Sequence, residues 1–215
     1  MKMLNALSIR SLLIACLALT LGACASTRFT SAWRDSSYQG PPLKKIVVIG
    51  VSDQVASRRV FEDEFAKALK AAGIDAVPGY SLLPDKPDRS REELQKAVSA
   101  IQADGILVTR TLRTERKTDY SPGYVTYGPA FGYSSFWGYY GAMGMGVYAE
   151  PGRIYSYDVI TVETNLWPAK EGKVLWSALS ETTDPRDTVT ITRELSKLVI
   201  DALREGQLIA SPPAK

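Results

Sequence analysis

Apolar and polar positions follow two different periods along the first half of the chain. The continuous apolar run Lys45–Val51 is rich in β-branched residues and predicts a strand buried on both faces. Residues 57–72 place apolar side chains three and four positions apart, which predicts a helix. The two patterns then recur as a strand at 74–77, a helix at 90–102 and a strand at 106–112. This β-α-β-α-β series predicts a right-handed, mostly parallel sheet.

The second half of the chain begins with strands and finishes with a helix. Residues 155–167 alternate between apolar and polar, and residues 174–180 follow a short turn, so the two segments are expected to pair in antiparallel fashion. Residues 188–205 carry the most regular apolar stripe of the chain, which predicts a third helix. The predicted fold is therefore α/β: a three-layer-like sandwich of a mixed, about five-stranded sheet with three helices, in the order β-α-β-α-β-(insert)-β-β-α.

Residues 119–157 form an insert of unusual composition. It holds nine of the eleven tyrosines and eight of the sixteen glycines. A connection of this length is usually functional or disordered. Three interpretations stay open: a flexible low-complexity loop, a contact surface for a protein, membrane or glycan, and a bilayer-crossing hairpin. The spacing of glycine and proline disfavours the hairpin. The candidate contact residues are Tyr133, Phe136, Trp137, Tyr139 and Tyr140.

The first 23 residues have the layout of a secretory signal peptide. Lys2 and Arg10 precede the apolar stretch 12–21, which is too short to span a bilayer, and small residues follow it. Because Ala23 is followed by Cys24, the segment resembles the lipobox of bacterial lipoproteins. This resemblance implies cleavage between Ala23 and Cys24 and acylation, palmitate included, of Cys24; the alternative is an ordinary signal peptide with a chance cysteine.

The lipobox also implies a location and a domain organisation. Ala25 is not the aspartate that resembles an inner-membrane retention signal, so we expect the outer membrane, with the protein facing the periplasm. Residues 24–43 are rich in Ser, Gly and Pro and are expected to form a lipidated tether, in which at least Trp33 packs on the domain or pairs as an edge strand. Residues 44–210 are then a single α/β domain that contains the insert.

Composition excludes several functional classes. Without the signal peptide the chain has 24 basic and 23 acidic residues, so it lacks the basic surplus of a nucleic-acid-binding protein. It has no histidine, which excludes Ser-His-Asp and Cys-His catalysis and His-ligated metal sites. Cys16 lies in the signal peptide and Cys24 is the acylation site, so no thiol nucleophile remains. We therefore expect no metal, no cofactor and no enzymatic activity.

Three polar segments nevertheless have both a functional and a structural interpretation. The loop Gly50-Val51-Ser52-Asp53 follows the first strand of the α/β series, where open sheets bind ligands, but its polar residues are more typical of a turn that starts a helix. Glu62 is interpreted as surface charge, weakly paired with Arg58 or Arg59. The charged segment 110–117 is expected to protect a sheet edge from aggregation.

The order of several segments resembles a known family. These segments are the lipobox, Trp33-Arg34-Asp35, Lys45–Val51, Arg58-Arg59-Val60-Phe61-Glu62, Ala71-Ala72-Gly73-Ile74, Ala103-Asp104-Gly105-Ile106-Leu107-Val108-Thr109 and Val174-Leu175-Trp176-Ser177. Together they resemble the uncharacterised DUF4136-type bacterial lipoproteins over most of the mature chain except the insert. The architecture is also similar to small domains of the curli-export lipoprotein, of the lipoproteins that activate penicillin-binding proteins, and of the Tol-system propeller protein.

The resemblance implies action by protein contact. The expected function is that of a lipid-anchored periplasmic envelope protein acting as a non-catalytic protein-interaction module, with a membrane and an envelope protein as partners and no nucleic acid. The alternative is a peptidoglycan- or glycan-binding lipoprotein that uses the aromatic insert. A hydrolase built on Ser52 and Asp53 is the least favoured hypothesis.

Overall fold

The computed structural model describes residues 27–82, 91–129, 145–170 and 172–210. The chain divides into a main unit, which contains the residues up to Thr114 and from Val159 onward, and an insert unit, Glu115–Asp158. In chain order the elements are β1 (Thr27–Arg34), β2 (Lys45–Val51), α1 (Val55–Ala71), β3 (Asp75–Pro78), a 3-10 turn (Gly79–Ser81), α2 (Arg91–Ala100), β4 (Gly105–Ser121), β5 (Tyr124–Pro129), β6 (Met145–Glu150), β7 (Arg153–Pro168), β8 (Trp176–Thr183) and α3 (Thr188–Glu205).

The main sheet is mixed and six-stranded, in the order β1-β8-β7-β4-β2-β3. Strand β2 is parallel to both β3 and β4, whereas β8 is antiparallel to both β1 and β7. The α/β class and the three helices are confirmed. The sheet has one strand more than expected, because Thr27–Arg34 joins it as edge strand β1 and pairs Trp33 with Ser177.

Three strands of the main sheet run toward the same side of it. Side-chain contacts join Thr109 to Thr164 and Arg113 to Thr161, so β4 and β7 run in opposite directions. Strand β8 therefore runs in the same direction as β2 and β4. Strands β2 and β8 end on the same side of the sheet, where β4 continues into the insert unit, and we call this side the strand-end edge. Helices α1 and α3 both begin there, after β2 and β8 respectively.

Helices cover the sheet from both faces. Helices α1 and α3 pack together on one face and bury Phe65 and Leu195 against sheet residues such as Leu107. Helix α2 lies on the other face, where its buried Val98 lines a pocket with Ile106, the neighbour of Leu107 in β4. The expected layered arrangement is present because alternate residues of β4 are apolar on both faces, as in a buried parallel strand.

Local side-chain and backbone features determine where α3 begins and where α1 ends. Asp187 caps α3 by accepting a hydrogen bond from the backbone N–H of Thr190 at 2.8 Å, and this bond lowers the pKa of its carboxyl below the ordinary value. Helix α1 is followed by Gly73, whose φ of 87° lies in the left-handed region that favours glycine. None of the helices among the described residues has both the length and the apolar composition needed to span a bilayer.

The insert unit contains regular structure in its described part. Strands β5 and β6 form a two-stranded antiparallel sheet in which Tyr124 pairs with Glu150. Strands β4 and β7 continue into the unit, so each is longer than the sequence pattern predicts. Paired side chains support these extensions: Arg116 donates to Asp158 at 3.0 Å, and the hydroxyls of Thr118 and Ser156 are 3.1 Å apart.

Candidate binding sites

The residues that the sequence analysis favoured most strongly lie outside the described residues. This applies to the cleavage and acylation site at Ala23 and Cys24 and to five aromatic residues of the insert: Tyr133, Phe136, Trp137, Tyr139 and Tyr140. Their assigned roles remain predictions. The described residues present three other features that bear on binding: an exposed aromatic cluster, a cleft at the strand-end edge and a pocket at the opposite edge.

The exposed aromatic cluster belongs to the insert unit. Large apolar side chains stand in solvent on both sides of the described hairpin, and Ile154 has 74% of its surface exposed. The tyrosine rings of residues 155 and 157 stack with centroids 6.0 Å apart. The hydroxyl of Tyr155 donates to Asp119 at 3.2 Å, and the nearby charge of Asp119 raises the pKa of this phenol. The cluster consists of Tyr120, Tyr124, Val125, Ile154 and Tyr155.

A cleft of about 400 Å³ lies at the strand-end edge of the main unit. Its lining combines apolar side chains with several hydroxyl-bearing residues and Arg58. The first turns of α1 and α3 contain no acidic residue, and the carboxylate of Asp187 caps the start of α3. Such walls can hold a small polar or amphiphilic ligand by hydrogen bonds. The lining includes Ser52, Ser57, Phe61, Thr109, Ile160, Thr188 and Leu195.

The loop that leads into this cleft is a structural turn. The hydroxyl of Ser52 accepts a hydrogen bond from the backbone N–H of Gln54 at 3.2 Å, and Asp53 is exposed beside it. This geometry is that of a turn that starts α1, as the sequence favoured. Within the described ranges, no group of three or more acidic side chains has the arrangement needed to hold a metal ion.

Glu62 does not belong to the protein surface, contrary to the expectation from sequence. Its side chain has no exposed area, and its two oxygens accept hydrogen bonds from the backbone N–H groups of Gly50 and Tyr80. The sequence prediction was wrong because the donors lie 12 and 18 residues away, at the end of β2 and in the 3-10 turn, whose positions the local pattern does not reveal.

The charged end of β4 pairs across the sheet. Arg110 bonds Glu163 of β7, and Arg113 forms an ion pair with Glu181 of β8. Because β4 lies between β7 and β2 as far as Arg110, the charged segment begins inside the sheet and not at an outer edge. In the insert unit, the hydrogen bond from Arg116 lowers the pKa of Asp158 below the usual carboxyl range.

The third feature, which sequence reasoning missed, is a polar pocket of about 520 Å³. It is lined by Arg34, the last residue of β1, and Arg204, in the last turn of α3. Arg34 pairs with Trp176, the first residue of β8, so the pocket lies at the edge opposite the strand-end edge. The two arginines are 170 positions apart in sequence, and no local motif marks either of them.

No protein-family model and no curated protein matches the chain. Solved structures similar to it include the PelC dodecamer from Paraburkholderia phytofirmans, with 14% identity and a TM-score of 0.42 over 84% of this chain and 99% of that chain. They also include the lipoprotein GNA1162 from Neisseria meningitidis, with 14% identity and a TM-score of 0.38 over 75% of this chain and 98% of that chain. At these identities and TM-scores, the similarities carry no statement about function.

Proposed function

We propose that this chain is a lipid-anchored periplasmic envelope protein, acylated on Cys24, whose folded part is a non-catalytic protein-interaction module. The outer membrane is the proposed location because Ala25 follows the acylated cysteine. The observation that carries the proposal is the exposed aromatic cluster of the insert unit, together with the lipobox-like sequence that ends at Cys24.

The exposed aromatic cluster supports a contact role because of its size and chemistry. Isolated apolar side chains on a surface are ordinary, but a larger amount of exposed apolar area is characteristic of interaction sites. Tyr124 in β5 and Ile154 and Tyr155 in β7 are each about half exposed or more. Tyrosine contributes large apolar area and a polar tip at a small cost in side-chain entropy, which suits recognition of a protein.

The position of β1 defines how the anchor would hold the domain. Cys24 precedes Thr27, the first residue of β1, by only three positions. Three residues of extended chain span about 11 Å at most. The predicted 24–43 tether is thus reduced to a very short link, because most of its first half is an edge strand. Thr27 pairs with Thr182 near the end of β8, so an acylated Cys24 would hold the strand-end edge close to the lipid leaflet.

The strand-end cleft is better suited to binding than to catalysis. Its polar groups are mainly hydroxyls, which exchange protons far from neutral pH and need a neighbouring base to act as nucleophiles. Ser52 uses its oxygen to accept a backbone hydrogen bond in a turn. A binding role therefore requires no chemistry beyond the hydrogen bonds that these groups make.

Site-specific photocrosslinking in cells tests the interaction role. A photoreactive residue at position 124 or 154 should give discrete protein adducts, while the same residue at exposed position 201 on α3 should not. Adducts at all three positions alike, or at none, would contradict the proposal. Acylation is tested separately by mass spectrometry of the mature N-terminus, because Cys24→Ala should accumulate as unprocessed precursor in the membrane fraction.

Binding to a glycan is the alternative that the exposed tyrosine rings favour, since aromatic faces also stack on sugar rings. Cosedimentation of the mature protein with purified peptidoglycan distinguishes the two functions. Retention on peptidoglycan that is lost when Tyr120 and Tyr124 are replaced by serine would favour the glycan function over the protein partner.

A further inference from the structure

Arg34 and Arg204 face the same pocket but make almost no hydrogen bonds in the described structure. The only hydrogen bond from either guanidinium joins Nη2 of Arg204 to the carbonyl oxygen of Ala72 at 3.0 Å. The Nε atoms of both residues are buried, and no described residue accepts a hydrogen bond from them. Leaving a buried donor on a charged group unsatisfied is costly, so two such donors in one pocket require an explanation.

Both side chains are held in place by the backbone around them. Arg34 lies against the C-terminal end of α3, where a Cβ atom added to Gly206 would come within 3.2 Å of its Cδ atom. Arg204 is fixed by its bond to Ala72, the residue that ends α1. The fold therefore presents two ordered guanidinium groups, and ordering before binding reduces the entropy that a ligand must overcome.

The rest of the pocket is polar and can supply further hydrogen bonds. Gln39 and Gln207 contribute to its lining, and Pro42 and Ile209 form a smaller apolar part. Tyr38 lies in the wall with its hydroxyl donating to the carbonyl oxygen of Pro41 at 2.9 Å. A volume of about 520 Å³ is ample for a small organic acid or phosphate ester.

The side chains of two arginines line this pocket. The opposing charges include the C-terminal ends of α1 and α3, with roughly half a negative charge each, and the carboxylate of Asp35 beside Arg34. Arginine presents its N–H groups in a planar fork that matches a carboxylate or phosphate.

We propose that Arg34 and Arg204 form a binding site for an oxyanion, the carboxylate or phosphate group of a small ligand. The anion accepts hydrogen bonds from guanidinium N–H groups of both arginines and fits against Gln39 and Gln207. The site lies at the edge of the sheet farthest from Thr27. It does not depend on acylation or on the aromatic cluster, so its failure would leave the proposed function untouched.

Side-chain NMR of the mature protein in a neutral detergent tests the site directly. Each arginine gives a separate Nε–Hε signal, and Arg34→Lys or Arg204→Lys removes one signal and thereby assigns it. The probes are inorganic phosphate and acetate, titrated at constant ionic strength against chloride. Arg28→Lys is the matched control, because Arg28 lies on the same strand, is 76% exposed at its side chain and pairs with Glu181.

The expected result is a saturable shift of the Arg34 and Arg204 signals with one shared dissociation constant for phosphate, acetate or both. Arg34→Lys should weaken binding by about tenfold or more, because lysine lacks the planar fork, and Arg28→Lys should leave it unchanged. Stronger binding of one probe identifies the chemical source of the anion. Shifts that do not saturate with either probe, or that Arg28→Lys alters equally, would overturn the proposal and leave water as the occupant.

Discussion

The carboxylate of Glu62 accepts a hydrogen bond from the backbone N–H of Gly50 at 3.0 Å, in the interior of the main unit. Its second oxygen accepts from the N–H of Tyr80 at 2.7 Å. One side chain of α1 therefore connects the end of β2 to the 3-10 turn that follows β3. Both bonds fall near the strand-end cleft, so Glu62 fixes the backbone on which that cleft is built.

Replacing Glu62 should destabilise the fold strongly. Glu62→Ala leaves two buried N–H groups without their acceptor, and we expect a loss of about 3–5 kcal/mol in the free energy of unfolding. Glu62→Gln keeps one acceptor oxygen but turns an amide NH₂ toward a donor, and it should cost about 1–3 kcal/mol. Chemical denaturation followed by circular dichroism measures both.

The control for this series is Glu64→Ala on the same helix. Glu64 pairs with Lys67 near the surface at 3.6 Å, so its replacement should change stability little. Equal losses for the two alanine variants would show that helix α1 as a whole, and not the buried carboxylate, is sensitive to substitution.

The cap of α3 should make stability depend on pH. Asp187 accepts hydrogen bonds from the backbone N–H and the side chain of Thr190, and the pKa of its carboxyl is lowered in the folded state. Its contribution is therefore present above the unfolded pKa of about 3.9 and is lost as the pH falls through the lower folded pKa. Asp187→Ala should lower Tm at neutral pH, and the gap to the original protein should close in acid.

Asp201→Ala is the matched control for this cap. Asp201 is exposed in the middle of the same helix, so its variant should show no comparable gap in Tm at neutral pH. A gap at Asp187 that stays constant down to acid pH would mean that the charge of this carboxylate does not contribute to the cap.

Sequence patterns predicted the strands and helices in which buried apolar residues recur at regular intervals along the segment. Lys45–Val51 is a strand as expected, and Thr188–Glu205 matches the predicted third helix, because in both the apolar period reports the environment directly. Thr27–Arg34 was harder to identify, since an edge strand of Ser, Thr and charged residues has the composition of a linker. Its pairing with β8, about 150 residues away, is what turns it into structure.

The candidate sites were harder to predict from the sequence for a related reason. Glu62 stands in a run of three acidic residues that has the composition of a helix surface, and its burial depends on donors from β2 and from the 3-10 turn. Arg34 and Arg204 meet only because β1 and α3 finish at the same edge. Contacts of this kind come from the topology of the sheet, which the hydrophobic pattern specifies only in outline.

Core packing between α1 and the sheet gives a direct test of the layered arrangement. Phe65 has no exposed area and packs with Phe61, with ring centroids 5.5 Å apart. Phe65→Ala should cost about 3–5 kcal/mol because of the lost transfer energy and the cavity that remains. Val60→Ala, on the exposed side of the same helix, should cost far less, and similar losses would argue against this orientation of α1.

The insert unit should be separable from the main unit. Deleting residues 120–152 removes the hairpin strands β5 and β6 but keeps the Thr118 and Ser156 pair, so a short connection can rejoin β4 to β7. We expect the shortened protein to fold cooperatively, because the large buried core belongs to the main unit, and to lose its partner. An unfolded product, or one that retains every partner adduct of the full protein, would contradict this division of roles.

The short link between Cys24 and β1 predicts a fixed orientation at the membrane. With at most about 11 Å of chain before Thr27, the strand-end edge should stay near the leaflet. A fluorophore on Asp53→Cys, in the exposed loop that precedes α1, should then be quenched by headgroup-labelled lipids, whereas one on Glu205→Cys, at the end of α3, should not. A flexible insertion of about 16 Gly and Ser residues before Thr27 adds about 20–24 Å of average reach and should remove the difference. Equal quenching at both positions before the insertion would show that the link does not orient the domain.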